Sequence, residues 1–265
     1  MDFNYSLAGL FVGTIVGLTG VGGGSLMTPL LMLLFGIPPT IAIGTDLLYA
    51  SMTKAGGAAV HGLKKSVDWR VVGWLALGSV PASVITLTYL AGHQHLTEDR
   101  DSLLKAALGV MLLATAIALL YRKPLQAWAA ARGRSGEHAL HATKISPHPL
   151  ATVMVGAAIG AAVSLSSIGA GAVGVTALLL LYPRMATAKV VGTDIAHAVP
   201  LTLVAGLGHA SLGNVDWNLL IWLLVGSLPG VVIGSLLTSR LPEPVIRNIL
   251  VALLVTVGGR MLWIR

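Results

Sequence analysis

Ten apolar segments, separated by short polar or glycine-rich stretches, account for most of this chain. In the first half they fall at about 5–19, 24–36, 40–60, 70–91 and 102–121, and in the second at about 149–166, 171–182, 187–209, 217–239 and 244–263. Stretches such as Ala151–Pro183 carry no charge at all. Apolar runs near 20 residues match the thickness of a hydrocarbon core, so the pattern predicts an all-α, polytopic transmembrane bundle. The first two segments of each half are short. At about 1.5 Å per residue they cover roughly two-thirds of that core, as short tilted spans or as the arms of a re-entrant hairpin. Glycine-rich breaks divide them, Gly20-Val21-Gly22-Gly23-Gly24 in one half and Gly169-Ala170-Gly171 in the other. Each half is thus a glycine-broken pair of short helices followed by three longer ones.

The pattern repeats in detail. Gly44-Thr45-Asp46 returns as Gly192-Thr193-Asp194, His61 as His209, Val67-Asp68-Trp69 as Val215-Asp216-Trp217, and Gly78-Ser79-Val80-Pro81 as Gly226-Ser227-Leu228-Pro229. The shared offset is about 148 residues. A duplicated apolar chain with broken segments is the mark of a secondary transporter whose site lies between its halves. The chain divides into a first repeat (1–121), a basic linker (122–148) and a second repeat (149–265).

Composition sharpens this. Hydrophobic residues make up 55% and charged residues 10% of the chain, too little charge to cover a soluble domain of 265 residues. The net charge of +7 is therefore no sign of a nucleic-acid partner, because the basic residues gather in loops and set orientation. Cysteine is absent, which excludes disulfides and thiolate sites. With Asp2 and no Lys or Arg ahead of the first apolar run, a cleaved signal peptide is not expected.

Charge bias also orients the halves. The loop with Lys64, Lys65 and Arg70 answers to 210–216, which has no basic residue. Glu98-Asp99-Arg100-Asp101 answers to a loop with Arg240 and Arg247, and the uncharged Phe35–Thr40 answers to one with Arg184 and Lys189. Equivalent loops therefore fall on opposite sides, so the repeats are expected to be inverted. The linker, with Arg122, Lys123, Arg132, Arg134 and Lys144 against Glu137, reads as a solvated cytoplasmic loop, and both termini lie outside.

Several residues can carry chemistry. Where a second half-helix starts, near Gly24-Ser25 and Gly171-Ala172, freed backbone N–H groups and the positive end of the helix dipole make an anion site without any charged side chain. The same glycines can instead serve close helix packing. The candidate substrate-binding residues are Gly22, Gly23, Gly24, Ser25, Thr45, Lys54, Gly169, Gly171 and Thr193. Asp46 and Asp194 lie two turns inside the third segment of each half, where carboxyl groups are expensive; they act either as proton carriers or as latches for an irregular backbone. His197 follows Asp194 at i, i+3 and joins the same two options. Lys54 lies about 12 Å beyond Asp46 on the same helix and is a natural counter-ion for an anion; its counterpart is Thr202. His61 and His209 end their helices and are gating candidates or interface anchors. Trp69, Trp74, Trp217 and Trp222 suit an interfacial belt, and Pro81 and Pro229 suit matched kinks. The formal GxGxxG of 169–174 is not a dinucleotide fingerprint, because its flanks are too apolar and too long for a soluble βαβ unit. No hydrolytic triad, paired-carboxylate centre or metal cluster is evident, so neither an enzyme nor a cofactor is expected.

These residues resemble the sulfite exporter TauE/SafE family. The likeness rests on the glycine-rich break Gly17–Gly24 followed by Pro29, on Gly44-Thr45-Asp46-Leu47 with Lys54 and His61, on Val67-Asp68-Trp69, on Gly78-Ser79-x-Pro81, and on their second-half echoes. It spans the chain apart from the linker. The resemblance implies an inner-membrane permease of two related halves, moving sulfite or small organosulfur anions such as sulfoacetate. Together these readings predict a secondary transporter for a small anion, working by alternating access as one repeat moves against the other. Asp46, Asp194 and His197 are available to couple protons. The alternative is a proton-coupled cation or divalent-metal transporter that uses those three as ligands.

Overall fold

Proline and glycine set where the helices begin and end. The computed structural model describes residues 2–19, 24–92, 97–134, 148–237 and 243–263. Among them lie ten α-helices and no strand: α1 (Asp2–Thr19), α2 (Gly24–Phe35), α3 (Pro39–Leu63), α4 (Trp69–Gly92), α5 (Thr97–Arg134), α6 (Pro149–Ser166), α7 (Ala172–Leu181), α8 (Thr187–Ser211), α9 (Trp217–Leu237) and α10 (Glu243–Trp263). Pro39 and Pro149 occupy the first helical position, where the missing N–H costs nothing. Gly213, at φ 74°, turns the chain after α8. Among the described residues, five helices are long and apolar enough to cross a membrane, and the protein is a multi-pass membrane protein. α2 and α7, of 12 and 10 residues, are too short to do so unaided.

The ten segments fall where the hydrophobic pattern puts them, with one departure. α5 starts at Thr97 and runs to Arg134, so the charged residues 98–101 and the first part of the polar stretch, 122–134, are helical rather than loop. The reason is packing. Leu125 and Ala129 continue the apolar face of α5 onto Val71, Tyr182, Met185 and Val190, and that contact outweighs the local polarity.

Helices from the two halves interlock. α1 lies along α9 and α4 along α6, with backbones in contact. Gly156 and Gly160 face the carbonyls of Leu75 and Ser79, while Gly9 and Gly13 face those of Leu223 and Ser227, their counterparts. Gly78 meets the Val153 carbonyl and Gly226 meets that of Ser6. A side chain at any of these glycines would overlap backbone, so only glycine permits the approach. In each pair the contacts rise together along both helices, so the paired helices are parallel.

α3 and α8 cross at the centre. α8 is the most buried of the five spanning helices. The start of α3 meets the end of α8 and the reverse, so these equivalent helices run antiparallel. Ser51 of α3 and Val199 of α8, 148 residues apart, touch where they cross.

Candidate functional site

The two Gly-Thr-Asp motifs are tied down by reciprocal contacts. The backbone N–H of Asp68 donates to Thr193 Oγ1 at 2.9 Å, and that of Asp216 donates to Thr45 Oγ1 at 3.1 Å. Gly192 packs on the Ser66 carbonyl and the His61 ring, and Gly44 packs on the Asn214 carbonyl and His209. Asp68 and Asp216 then cap the first turns of α4 and α9 through their Oδ1 atoms. Thr45, Thr193, His61 and His209 thus sit in two matching latches at the ends of the α3–α8 crossing. His209 Nε2 lies 2.9 Å from the Ser164 carbonyl, in the last turn of α6, and His61 Nδ1 lies 2.8 Å from Ser66 Oγ.

Between the latches lies a buried polar cluster centred on the second-half helix break. α6 ends at Ser166, Ser167 takes a left-handed conformation (φ 60°), and Gly169 and Gly171, at φ 135° and 147°, turn the chain into α7. Those two glycines adopt backbone angles that other residues rarely reach. The carbonyls of Gly169 and Gly171 accept the amides of Gly174 and Val175. The amides of Ala172 and Val173, at the helix start, have no intrahelical acceptor.

Lys54 of α3 crosses from the first half to reach this break. Its Nζ donates to the Ala170 carbonyl at 2.7 Å, and its charge lies within range of Asp194, Asp46 and His197. Asp194 is 2% exposed, and its carboxyl rests on Gly174, in the space a Cβ would fill. A carboxyl of the protein itself therefore sits at the positive end of α7. His197 is 1% exposed, with Nε2 2.8 Å from Ser79 Oγ of α4. Asp46 is fully buried and accepts a 2.5 Å hydrogen bond from Thr28 of α2.

The structure thus gathers Lys54, Asp46, Asp194 and His197 around the break at Gly169–Gly171. Gly24 is the first residue of α2, matching the expected half-helix start. Gly22 and Gly23 lie outside the described residues, as does the side chain of Ser25. The residues Thr28, Ser79, Ser167, Tyr49 and Ser227, which the sequence reading did not select as site residues, join the cluster. Ser79 and Ser227 had a signal, since the serine repeats in both Gly-Ser-x-Pro motifs. Among the described residues no three His, Asp or Glu side chains are placed to hold a metal ion. Asp46, Asp194 and His197 accordingly do not form the ligand set that the divalent-metal alternative needs.

A multi-pass helical bundle that buries an ammonium and two carboxyl groups at a broken helix in its middle belongs to the class of membrane transporters. The chain is a member of the sulfite exporter TauE/SafE family, whose profile, "Sulfite exporter TauE/SafE", matches residues 5–261. It is 38% identical to the probable membrane transporter protein YjnA of Bacillus subtilis (strain 168), over 99% of this chain and all of that protein. It is 27% identical to the probable membrane transporter protein YdhB of the same organism, over 89% of this chain and 90% of that one. A probable membrane transporter protein of Xylella fastidiosa (strain Temecula1 / ATCC 700964) is 29% identical, over 88% of this chain and 84% of its own length. No solved structure matches the chain.

Proposed function

We propose that this transporter moves a small oxyanion, sulfite or a sulfonate-type compound, across the cytoplasmic membrane, with one proton coupled through Asp194. The observation that carries this reading is the placement of Lys54. An ammonium from one half sits on a carbonyl of the other half's helix break, beside the free amides that open α7. Lys54 and those amides together make a site for a negative group.

Asp194 already lies at that position as an internal anion. An incoming anion competes with it for the same positive charge, and protonation of Asp194 removes the competition. Binding of one anion then favours uptake of one proton, which is the linkage that coupling requires. Asp46, at the same depth in the other half, belongs to the same buried cluster.

The two halves act as inverted repeats. This is supported by the antiparallel crossing of α3 with α8 and by the swapped charge bias of equivalent loops. The face bearing Lys64, Lys65, Arg70, Arg122, Arg184 and Lys189 is the cytoplasmic one, with the linker inside and both termini outside. Alternating access moves cross-half bodies rather than whole repeats, because α1 is locked to α9 and α4 to α6 backbone to backbone.

The test is thermal stabilisation of the purified protein by sulfite, sulfoacetate, thiosulfate and divalent metal salts, since a ligand of the folded state raises Tm. The expected result is a rise with one of the anions, stronger at low pH, that is lost in Lys54→Met. In Asp194→Asn the stabilisation persists but no longer depends on pH. A response to metals alone, or an undiminished anion response in Lys54→Met, sinks the reading.

A further inference from the structure

The duplication produces two niches of the same plan and opposite chemistry. In the second-half niche, Asp194 is followed at i+3 by His197, which pairs with Ser79. In the first-half niche, Asp46 is followed by Tyr49, which faces Ser227. Each of these residues stands 148 positions from its counterpart. The second niche holds nitrogen: the His197 ring, Lys54 and the amides opening α7. The first is lined by oxygen.

That oxygen set is unusual in being unsatisfied. Asp46 Oδ1, Tyr49 Oη, Ser167 Oγ and Ser227 Oγ are all buried and have no hydrogen-bond partner among the described residues. Asp46, Tyr49 and Ser227 are fully buried and Ser167 is 5% exposed. Ser167 faces the Asp46 carboxyl, Ser227 faces the Tyr49 hydroxyl, and Tyr49 lies within range of the Asp46 charge, so the five side chains form one cluster. The Thr28 hydroxyl spends its proton on Oδ2, which leaves Oδ1 open. Ser167 also stands at the carboxyl end of α6, where the helix dipole is negative. Buried polar atoms are almost always paired, and leaving one unpaired is costly. Three hydroxyls and one carboxyl oxygen left open in a single buried cluster call for a ligand that oxygen can hold.

We propose that Asp46, Thr28, Ser167, Tyr49 and Ser227 form a binding site for a single desolvated sodium ion. The inference rests on the transport reading above and adds a coupling ion to it. Hard cations take oxygen ligands, and one carboxylate balances one positive charge, which favours a monovalent over a divalent ion. The carboxyl end of a broken helix is where such an ion is held against the dipole. Lys54 donates to the Ala170 carbonyl and, though its charge is in range of Asp46, makes no hydrogen bond to Oδ1, which stays open.

The experiment compares Tm of the full-length purified protein in sodium, lithium, potassium and choline chloride at constant ionic strength and pH. Sodium is expected to raise Tm in a saturable way over choline. Tyr49→Phe and Ser227→Ala, which remove one oxygen each and keep the packing, are expected to raise the half-saturating sodium concentration about tenfold or more, equivalent to 1.4 kcal/mol. Equal Tm in sodium and choline chloride overturns the proposal. So does a sodium response unchanged in both variants, and so does stabilisation that follows pH alone, which would assign a proton to Asp46. The anion panel, run on the same preparations, separates the two readings. An intact anion response without a sodium response overturns only this inference.

Discussion

The ends of the α3–α8 crossing and its middle have kept the duplication to different degrees. At the ends the backbone contacts are kept in both copies: Thr193 holds the amide of Asp68 as Thr45 holds that of Asp216, and each glycine packs on the opposite histidine loop. In the middle they have diverged. His197 stands for Tyr49 and Lys54 for Thr202, so Ser79 meets a ring nitrogen where Ser227 faces a phenol. The latches hold backbone, a task that is the same at both ends of the crossing. The interior buries charge, and there the two copies carry different groups. The scaffold stayed symmetric while the site did not.

The comparison can be broken in four places. The largest effect is expected in the interlocked helices. Gly78→Leu and Gly226→Leu drive a side chain into the carbonyls of Val153 and Ser6, and each should cost about 3 kcal/mol or more. Both should abolish monodisperse protein on size-exclusion chromatography. A tolerated leucine at one position alone would show that the two pairs are not equivalent. Next comes the interior. Lys54→Met should lower transport in proteoliposomes about tenfold or more at normal yield, whereas Thr202→Val, at the matching position, should leave it near wild type. Equal losses from the two would show that the asymmetry carries no function.

The latches should give smaller and matched effects. Thr45→Val and Thr193→Val each remove one acceptor from a backbone amide, at about 1–2 kcal/mol. Their Tm losses should agree, and a clear difference would mean that one end carries more than scaffold. The smallest effect belongs to Lys189, which pairs with Asp68 at 3.0 Å while partly exposed. Lys189→Ala should cost about 0.2–1 kcal/mol, and the loss should shrink in high salt. The other end has Ile41 at the matching position, so Ile41→Ala should show no such salt dependence.

Much of this was legible in the sequence because lipid leaves a chain few options. Spanning helices must be long and apolar, so the hydrophobic pattern gave their positions within a few residues. Lys54 and the two carboxyl groups stood out because charge is rare at that depth. What stayed hidden was whatever depends on which helix meets which. Thr28 and Ser167 look like ordinary helix and turn residues until Asp46 is seen between them. The pairing of α1 with α9 also left no local trace, since a glycine marks a turn as readily as a close contact. The helical run of α5 past residue 121 was masked by its charges, because its covered face at Leu125 and Ala129 is narrow.

The cross-half locking of α1 also bears on how the protein is made. Its glycine face meets α9, which emerges from the ribosome roughly 200 residues later. Until then the glycine face of the first helix has no mate and stays turned to lipid. Assembly is thereby tied to completion of synthesis, and a truncated product that stops before residue 217 exposes an adhesive stripe that quality-control proteases can seize.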